Sequence, residues 1–422
     1  MRILRRNRFI PLLCSALAIG LLTLLPSAEH TPRVSVGASC LLCGGDFAVE
    51  DALLNVLLFV PLGLSLCYMG QSRRLVLLTA FLTSSIIELL QLGIPGRESS
   101  VGDVITNTAG ACLGILLYST WRTLLLPTPA QARRCAVGAA VLWTILAAGT
   151  MWCFEPAPTE RPYYGQWSPE DVYPANYRGS VYSARTGGVL IPAGRIPNPI
   201  PLRQQLRANS QAIQITTCTG PPTEKLASIV SVADDGHQEI LLVGQWGTSL
   251  VFRTRMRANR LRLRNFGVAL SDVLRDSGHV VDIEARRSST MFDVRATDDR
   301  GTRRRVVPIT PRLGWTLVAP FPPVLGGVWD LVSAGWLVLV LIPSGYWAAR
   351  SYATTPRFAV LIALTAIAVP LLIGWVAFRG AHPGAWDWCP SAAGALTGWM
   401  AAIRIPRREP PRIEQSGKPV TS

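Results

Sequence analysis

Apolar residues fall in runs close to the length of about 20 residues that a helix needs to cross a bilayer. These runs lie around Phe9 to Leu25, Ala52 to Met69, Leu75 to Leu92, Val104 to Leu125 and Cys135 to Phe154, then Gly327 to Trp347, Phe358 to Phe378 and Ala385 to Ile403. Between the fifth and sixth runs the period changes. From about Gly179 to Arg312, short β-branched stretches alternate apolar with polar residues and are separated by turn residues, as in an all-β sandwich. The alternation predicts strands at Leu226 to Val232, Glu239 to Gly244, Thr248 to Met256, Val280 to Arg286, Thr290 to Ala296 and Arg304 to Ile309. Asp234-Asp235-Gly236 reads as a turn, which Asp and Gly favour without any calcium. The expected organisation is a membrane module at 1–154, an interfacial linker at 155–178, a β domain at 179–325, further membrane helices at 326–404 and a basic tail at 405–422.

Composition supports a membrane protein: 49% of residues are hydrophobic and only 16% charged, with a mean hydropathy of +0.30, too apolar for an ordinary soluble domain. The fold expected is therefore an α-helical polytopic bundle of about eight transmembrane helices plus an extracytoplasmic all-β domain. Basic residues at Arg2 to Arg8, Arg73 and Arg74, Arg122, Arg133 and Arg134, Arg350 and Arg357, and Arg404 to Arg408 fall on alternate sides of successive spans. Short cytoplasmic loops are rich in Lys and Arg, so both termini are expected inside and the β domain outside. The first run also fits a signal peptide, but no clean small-x-small cleavage site follows it, which favours a retained anchor. Much of the +15 net charge is this topology signal and says nothing of a ligand. An outward-facing domain is a poor partner for nucleic acid.

Nine cysteines are present. Cys40, Cys43, Cys153, Cys218 and Cys389 are expected on the outer side, where disulfides can form. Cys40-x-x-Cys43 has no second such pair, and no spaced set of oxygen ligands accompanies Asp234 and Asp235, so neither a metal nor another cofactor is expected.

Candidate chemistry lies in polar residues at apolar depth. Asp103, Asn107, Gly110, Gly114 and Tyr118 share one stripe of a helix, Glu88 and Gln91 are neighbours at i, i+3 on another, and Asn55 opens a third. All fall near the outer ends of their spans, with Arg97 in the connecting turn, so Asn55, Glu88, Gln91, Arg97, Asp103 and Asn107 describe a pocket opening outward. Ionisable groups at such depth usually face a bundle interior or a wet cavity and mark function. Plain readings stand beside this one. Ser100-x-x-Asp103 also fits a capping box, Asn55 a helix start, Arg97 a solvated loop charge and Gln91 an interfacial residue. Glu88 needs a partner at its depth, and Arg97 is the obvious cation.

Asn55-Val-Leu-Leu-Phe59-Val-Pro61-Leu-Gly63, Glu88-Leu-Leu-Gln91 and Arg97-Glu-Ser-Ser-Val-Gly-Asp103-Val-Ile-Thr-Asn107-Thr-Ala-Gly110-Ala-Cys-Leu-Gly114 together resemble the VanZ-like family pattern, over about residues 45 to 125. The resemblance implies a small helical membrane module whose named member is linked to glycopeptide (teicoplanin) resistance. It implies no catalytic residue.

The last three runs echo this module. Pro343-Ser-Gly345 mirrors Pro61-Leu-Gly63, and Asp387, Ser391, Gly394 and Gly398 repeat the steps of Asp103, Asn107, Gly110 and Gly114. Two extra residues before Asp387 are the slip. Leu337, Pro370 and Ile373 then stand in the places of Asn55, Glu88 and Gln91, so a second half is expected to keep the packing and lack the site.

In the β domain, Ser228 to Gly236 and Gly244-Gln-Trp-Gly247-Thr-Ser-Leu250-Val-Phe252-Arg253 resemble the concanavalin-A-like, laminin-G-type jelly roll. That resemblance implies binding of glycans or other surface polymers. Alternation in Arg253 to Arg264 predicts a hairpin whose one face carries Arg253, Arg255, Arg257, Arg262 and Arg264, either an anion-binding face or a solvated edge that deters strand pairing. The Pro-rich linker, with Tyr163, Tyr164, Trp167 and Tyr173, is expected at the lipid headgroups. The reading that results is a bacterial cytoplasmic-membrane protein that binds membrane lipids, with an envelope glycan or anionic polymer as a further partner. The competing reading is an intramembrane enzyme on a lipid-linked substrate, with Glu88 or Asp103 as base. A transporter comes third.

Overall fold

The computed structural model describes residues 9–25, 48–94, 99–168, 175–208, 210–319, 324–325, 328–352 and 354–405. Arg97, Cys40, Cys43, Tyr173 and the basic tail lie outside these residues.

The first half contains α1 (Ile10–Leu24), α2 (Ala48–Tyr68), α3 (Arg73–Gln91), α4 (Val101–Leu125) and α5 (Pro129–Cys153). Helix starts follow local chemistry. The Thr128 hydroxyl accepts the Gln131 N–H while the Gln131 amide oxygen takes the Thr128 N–H at 2.9 Å, a capping box just ahead of Pro129. Beyond the β domain, which holds the short helices α6 (Ile200–Arg207) and α7 (Arg257–Arg260), come α8 (Val328–Ser351), α9 (Pro356–Val376) and α10 (Ala385–Arg404). Leu57, Leu78, Ile86, Leu89, Leu142 and Ile145 point away from the helix contacts and stay exposed, a surface suited to acyl chains and not to water. Among the described residues six helices, α2 to α5, α8 and α9, are long and apolar enough to cross a membrane. The protein is a multi-pass membrane protein. Helix α1, at 15 residues, is shorter than these six, and α10, a further 20-residue helix, carries Asp387 buried in its first turn.

The helical repeat is visible contact by contact. A Cβ on Gly63 would strike the Ala111 backbone, one on Gly110 the Val56 carbonyl, and one on Gly114 the backbone of Val60 and Leu64. In the second half Gly345 abuts Ala395, Gly394 abuts Val338, and Gly398 abuts Ile342 and Tyr346, the same set one repeat later. Small residues let α2 approach α4, and α8 approach α10, backbone to backbone, the route to tight packing where lipid removes the hydrophobic drive between helices. Both α2 and α8 carry an internal proline at the matching position, Pro61 and Pro343. Helix α5 packs on α8 and α9 as α1 packs on α2 and α3, so the repeat is one of four helices and not three.

The β domain has two sheets. One runs, in spatial order, Val324–Leu325, Gly267–Leu270, Ser249–Thr254, Glu239–Gly247, Thr223–Asp234, Tyr163–Trp167 and Gly194–Arg195, with Ala175–Asn176 also on Thr223–Asp234. The other runs Gly301–Pro308, Met291–Asp298, Val280–Arg287, Gln211–Cys218, Ser180–Thr186 and Val189–Leu190. Their inward residues, including Ile213, Ile283, Val294, Ile229, Val243 and Phe252, form one core, the alternation expected when each sheet buries one face. All six strands expected from the alternation are present, with boundaries shifted by a few residues.

Two expectations change. The segment expected as an interfacial linker supplies the strand Tyr163–Trp167, which pairs with Thr223–Asp234. Its Tyr163 and, beyond it, Tyr177 are fully buried, because the strand lies between Thr223–Asp234 and Gly194–Arg195 in the sheet and both rings join the core. The arginine hairpin does not form: the strand stops at Thr254, α7 follows, and Arg262 takes a left-handed φ of 54°.

The domain is fastened to the helices. The Phe154 ring, directly after α5, meets Phe266 at 5.1 Å in the sandwich core, and the Phe154 carbonyl accepts from the fully buried Arg287. Burial pulls Arg287 down to about 9, against the opposing pull of Glu155, so it stays charged near neutral pH and favourably placed at a helix C-terminus. The 3-10 helix Pro311–Leu317 wedges among α5, α8 and α9. Its Trp315 stacks on Trp329 at 5.8 Å and donates to the Ser333 hydroxyl at 2.9 Å. At the opposite ends of the helices, Trp347 donates to the Leu124 carbonyl at 2.8 Å and Tyr346 to that of Leu125, tying the halves together. Cys153, Cys218 and Cys389 are free thiols.

Candidate functional site

The polar residues of the first half meet at the end of the bundle nearest the β domain. Ser84, Glu88 and Gln91, at steps of four and three, present one buried face of α3 toward α4. Asn107 answers from α4, its amide nitrogen donating to the Ser84 hydroxyl at 2.9 Å. The Asn107 amide oxygen is buried and accepts nothing among the described residues. Asn55 on α2 hydrogen-bonds Asp103. Glu88, Asp103 and Asp51 lie close enough for their charges to interact.

Capping is distributed differently from the expectation that Asp103 closes a box with Ser100. The Ser100 N–H goes to Glu88 Oε2 at 2.7 Å, and the Ser99 hydroxyl also reaches Glu88. The Ser100 hydroxyl accepts the Gly102 N–H at 3.1 Å. A carboxylate from α3 thus satisfies an orphan donor at the start of α4, which leaves Asp103 to Asn55. Gln91 has a structural partner: its amide nitrogen donates to the Thr23 carbonyl at 2.9 Å, satisfying an unpaired acceptor in the last turn of α1.

Glu50, which the sequence reading passed over, is 1% exposed and receives both Arg264 Nε at 2.8 Å and Arg264 Nη2 at 2.6 Å. This forked pair crosses from α2 to the β domain one turn above Asn55. Ser84 was also missed, although its spacing four residues before Glu88 on the buried face was the available signal. Glu50 gave none, since its partner lies more than 200 positions away.

The other arginines of the supposed face scatter. Arg255 is buried, and burial lowers it, partly offset by Asp234. Arg257 pairs with Glu155 at 2.6 Å and sits 5.0 Å from the Trp152 ring centre. Arg253 packs beside Gly267, and Arg262 is exposed. Of the five, Arg257 and Arg264 tie the domain to the end of α5 and to α2, while Arg253, Arg255 and Arg262 lie in different surroundings. Among the described residues no group of three or more His, Cys, Asp or Glu converges to hold a metal.

Comparison with known families singles out this half. Residues 15–122 match the VanZ/LLP1 family model. The matched span contains every residue of the polar cluster, which supports the VanZ family for this module, while the β domain and the second half lie outside it. No curated protein and no solved structure matches the chain. In the VanZ-like module, then, α2 and α4, joined closely at glycines, and α3 beside them present an acceptor-rich cluster, roofed on one side by the Glu50–Arg264 pair.

Proposed function

We propose that the protein binds the polar headgroup of an envelope lipid, or an envelope glycan, at the Asn55–Glu88–Asp103–Asn107 cluster, and thereby alters susceptibility to glycopeptides such as teicoplanin. The observation that carries this reading is the imbalance of the cluster: the Asn107 amide oxygen has no donor among the described residues, and Asp103 has Asn55 while facing the negative charges of Glu88 and Asp51. A ligand rich in O–H or N–H donors, such as a sugar or an amino-bearing headgroup, supplies what the site lacks. Arg97, outside the described residues, is the cation assigned to an anionic part of the same headgroup. On this reading the chain sits in the bacterial cytoplasmic membrane with both termini inside and the β domain, taken as a concanavalin-A-like jelly roll, outside. Mass spectrometry of lipids and glycans that copurify with the full chain tests it. The wild type should retain one headgroup class that Asp103→Asn loses; identical profiles for the two would overturn the assignment.

A second reading, an intramembrane enzyme acting on a lipid-linked substrate, is favoured by the nearness of Glu88 and Asp103, since paired carboxylates serve as acid and base. Glu88→Gln separates the two readings. For an enzyme it abolishes turnover while binding persists; for a binding protein no turnover is found in either form.

A further inference from the structure

In the other half a cleft of about 310 Å³ opens where the β domain meets the helices, lined among others by Arg305, Arg312, Asp330, His382 and Asp387. Its acids are already engaged. Asp387 Oδ1 accepts the Thr310 hydroxyl at 2.7 Å and Oδ2 the Gly384 N–H at 3.0 Å, and Asp330 receives Arg305 at 3.5 Å. The His382 ring packs edge-on to Trp375 at 4.6 Å, with Nδ1 3.0 Å from the Pro383 carbonyl.

Arg312 is the exception. It is 6% exposed, its Nε is buried without an acceptor, and it forms no ion pair or hydrogen bond among the described residues. Arg305 Nε likewise lacks an acceptor. A guanidinium keeps its charge, and burying it unpaired is costly. The position is held nonetheless by the 3-10 helix that locks the domain onto α5, α8 and α9.

The geometry points to this cleft as a binding site for a phosphate group, with Arg312 as its principal ligand and Arg305 and His382 as flanking donors. Planar guanidinium forks match phosphate oxygens. The volume is near the lower limit of small-ligand pockets, enough for a phosphorylated headgroup and too small for a folded polymer. The exposed Trp386 lines it and Trp375 packs on its His382, and such aromatics mark the level at which lipid phosphates lie. The same chemistry fits a soluble phosphate arriving from the aqueous side. Nothing here depends on the acidic cluster of the VanZ-like module.

The test titrates the full chain in neutral detergent with dihexanoyl phosphatidylglycerol and, separately, with inorganic phosphate, reading binding by native mass spectrometry and phosphorus NMR. The wild type should bind one equivalent. Arg312→Gln should weaken binding about ten-fold or more, the loss expected for a charge-assisted contact, and Arg312→Lys should restore part of it. Binding of the lipid alone assigns the site to a membrane headgroup, and binding of inorganic phosphate as well assigns it to a soluble anion. If Arg312→Gln does not fold, Arg305→Gln decides by the same readout. No binding to the wild type, or equal affinity in the folded variants, overturns the proposal.

Discussion

The two helical halves share a packing scheme and differ in where they spend their polar groups. In the first, Glu88 caps α4 by taking the Ser100 N–H, and Asp103 is left to Asn55. In the second, Pro370 stands in the place of Glu88, and Asp387 itself takes the corresponding donor, the Gly384 N–H, while its other oxygen is bound by Thr310 of the β domain. Where α9 has no carboxylate at this place, the aspartate of the next helix is itself the capping residue. Helix α9 packs mainly on α5 and only lightly on α10, and the 3-10 helix Pro311–Leu317 touches it as well as α5 and α8. A helix terminus must satisfy its donors whichever side chain does so; the half with a second carboxylate leaves Asp103 outside the cap.

The shared packing is what a substitution should damage most. Gly114→Leu and its counterpart Gly398→Leu each force a side chain into a facing backbone and should destabilise by about 3 kcal/mol, seen as early unfolding in detergent thermal melts. If one variant is tolerated, the halves do not share this contact. Next is the pair that exists in the first half alone: Arg264→Ala leaves Glu50 buried and uncompensated and should cost about 3 kcal/mol. Glu50→Gln combined with Arg264→Gln should recover part of it in a double-mutant cycle.

The capping exchange makes a sharper claim. Asp387→Asn should lose about 1 kcal/mol by weakening two hydrogen bonds, whereas Asp103→Asn should be neutral or stabilising, because it relieves repulsion from Glu88 and Asp51. Equal losses would mean that the two aspartates do the same job. The smallest effect lies in the β domain, where a hydrogen bond and the charge of Arg304 hold the Asp293 carboxyl below its usual range. Its stabilisation is present above the ordinary carboxylate pKa of about 4 and lost as pH falls through the lower folded value, so Asp293→Asn should flatten the acid limb of the stability curve.

Much of this was legible in the residues. Hydropathy marks the spans because lipid demands long apolar helices, and the polar stripe on α4 and the glycines that repeat later are periodic local signals. Strand alternation found the sandwich, since one face of each sheet is buried. It failed at Arg253 to Arg264, where alternation continued through residues that fold as a strand end and a helical turn, because tertiary partners such as Glu155 and Glu50 outweighed the period. It also missed Tyr163–Trp167, whose prolines and polar neighbours masked a strand that exists only because Thr223–Asp234 offers it an edge.

The order of residues by itself determined the membrane-spanning helices, their internal repeat and the set of side chains that lie at polar depth, because these depend on length, period and composition. Only the tertiary structure decided which carboxylate caps a helix and which does not, that Arg264 closes over Glu50, and that Arg312 is buried without a partner among the described residues. Each of those outcomes depends on distances between segments far apart in the chain, where one hydrogen bond gained by a side chain is one withheld from its neighbour.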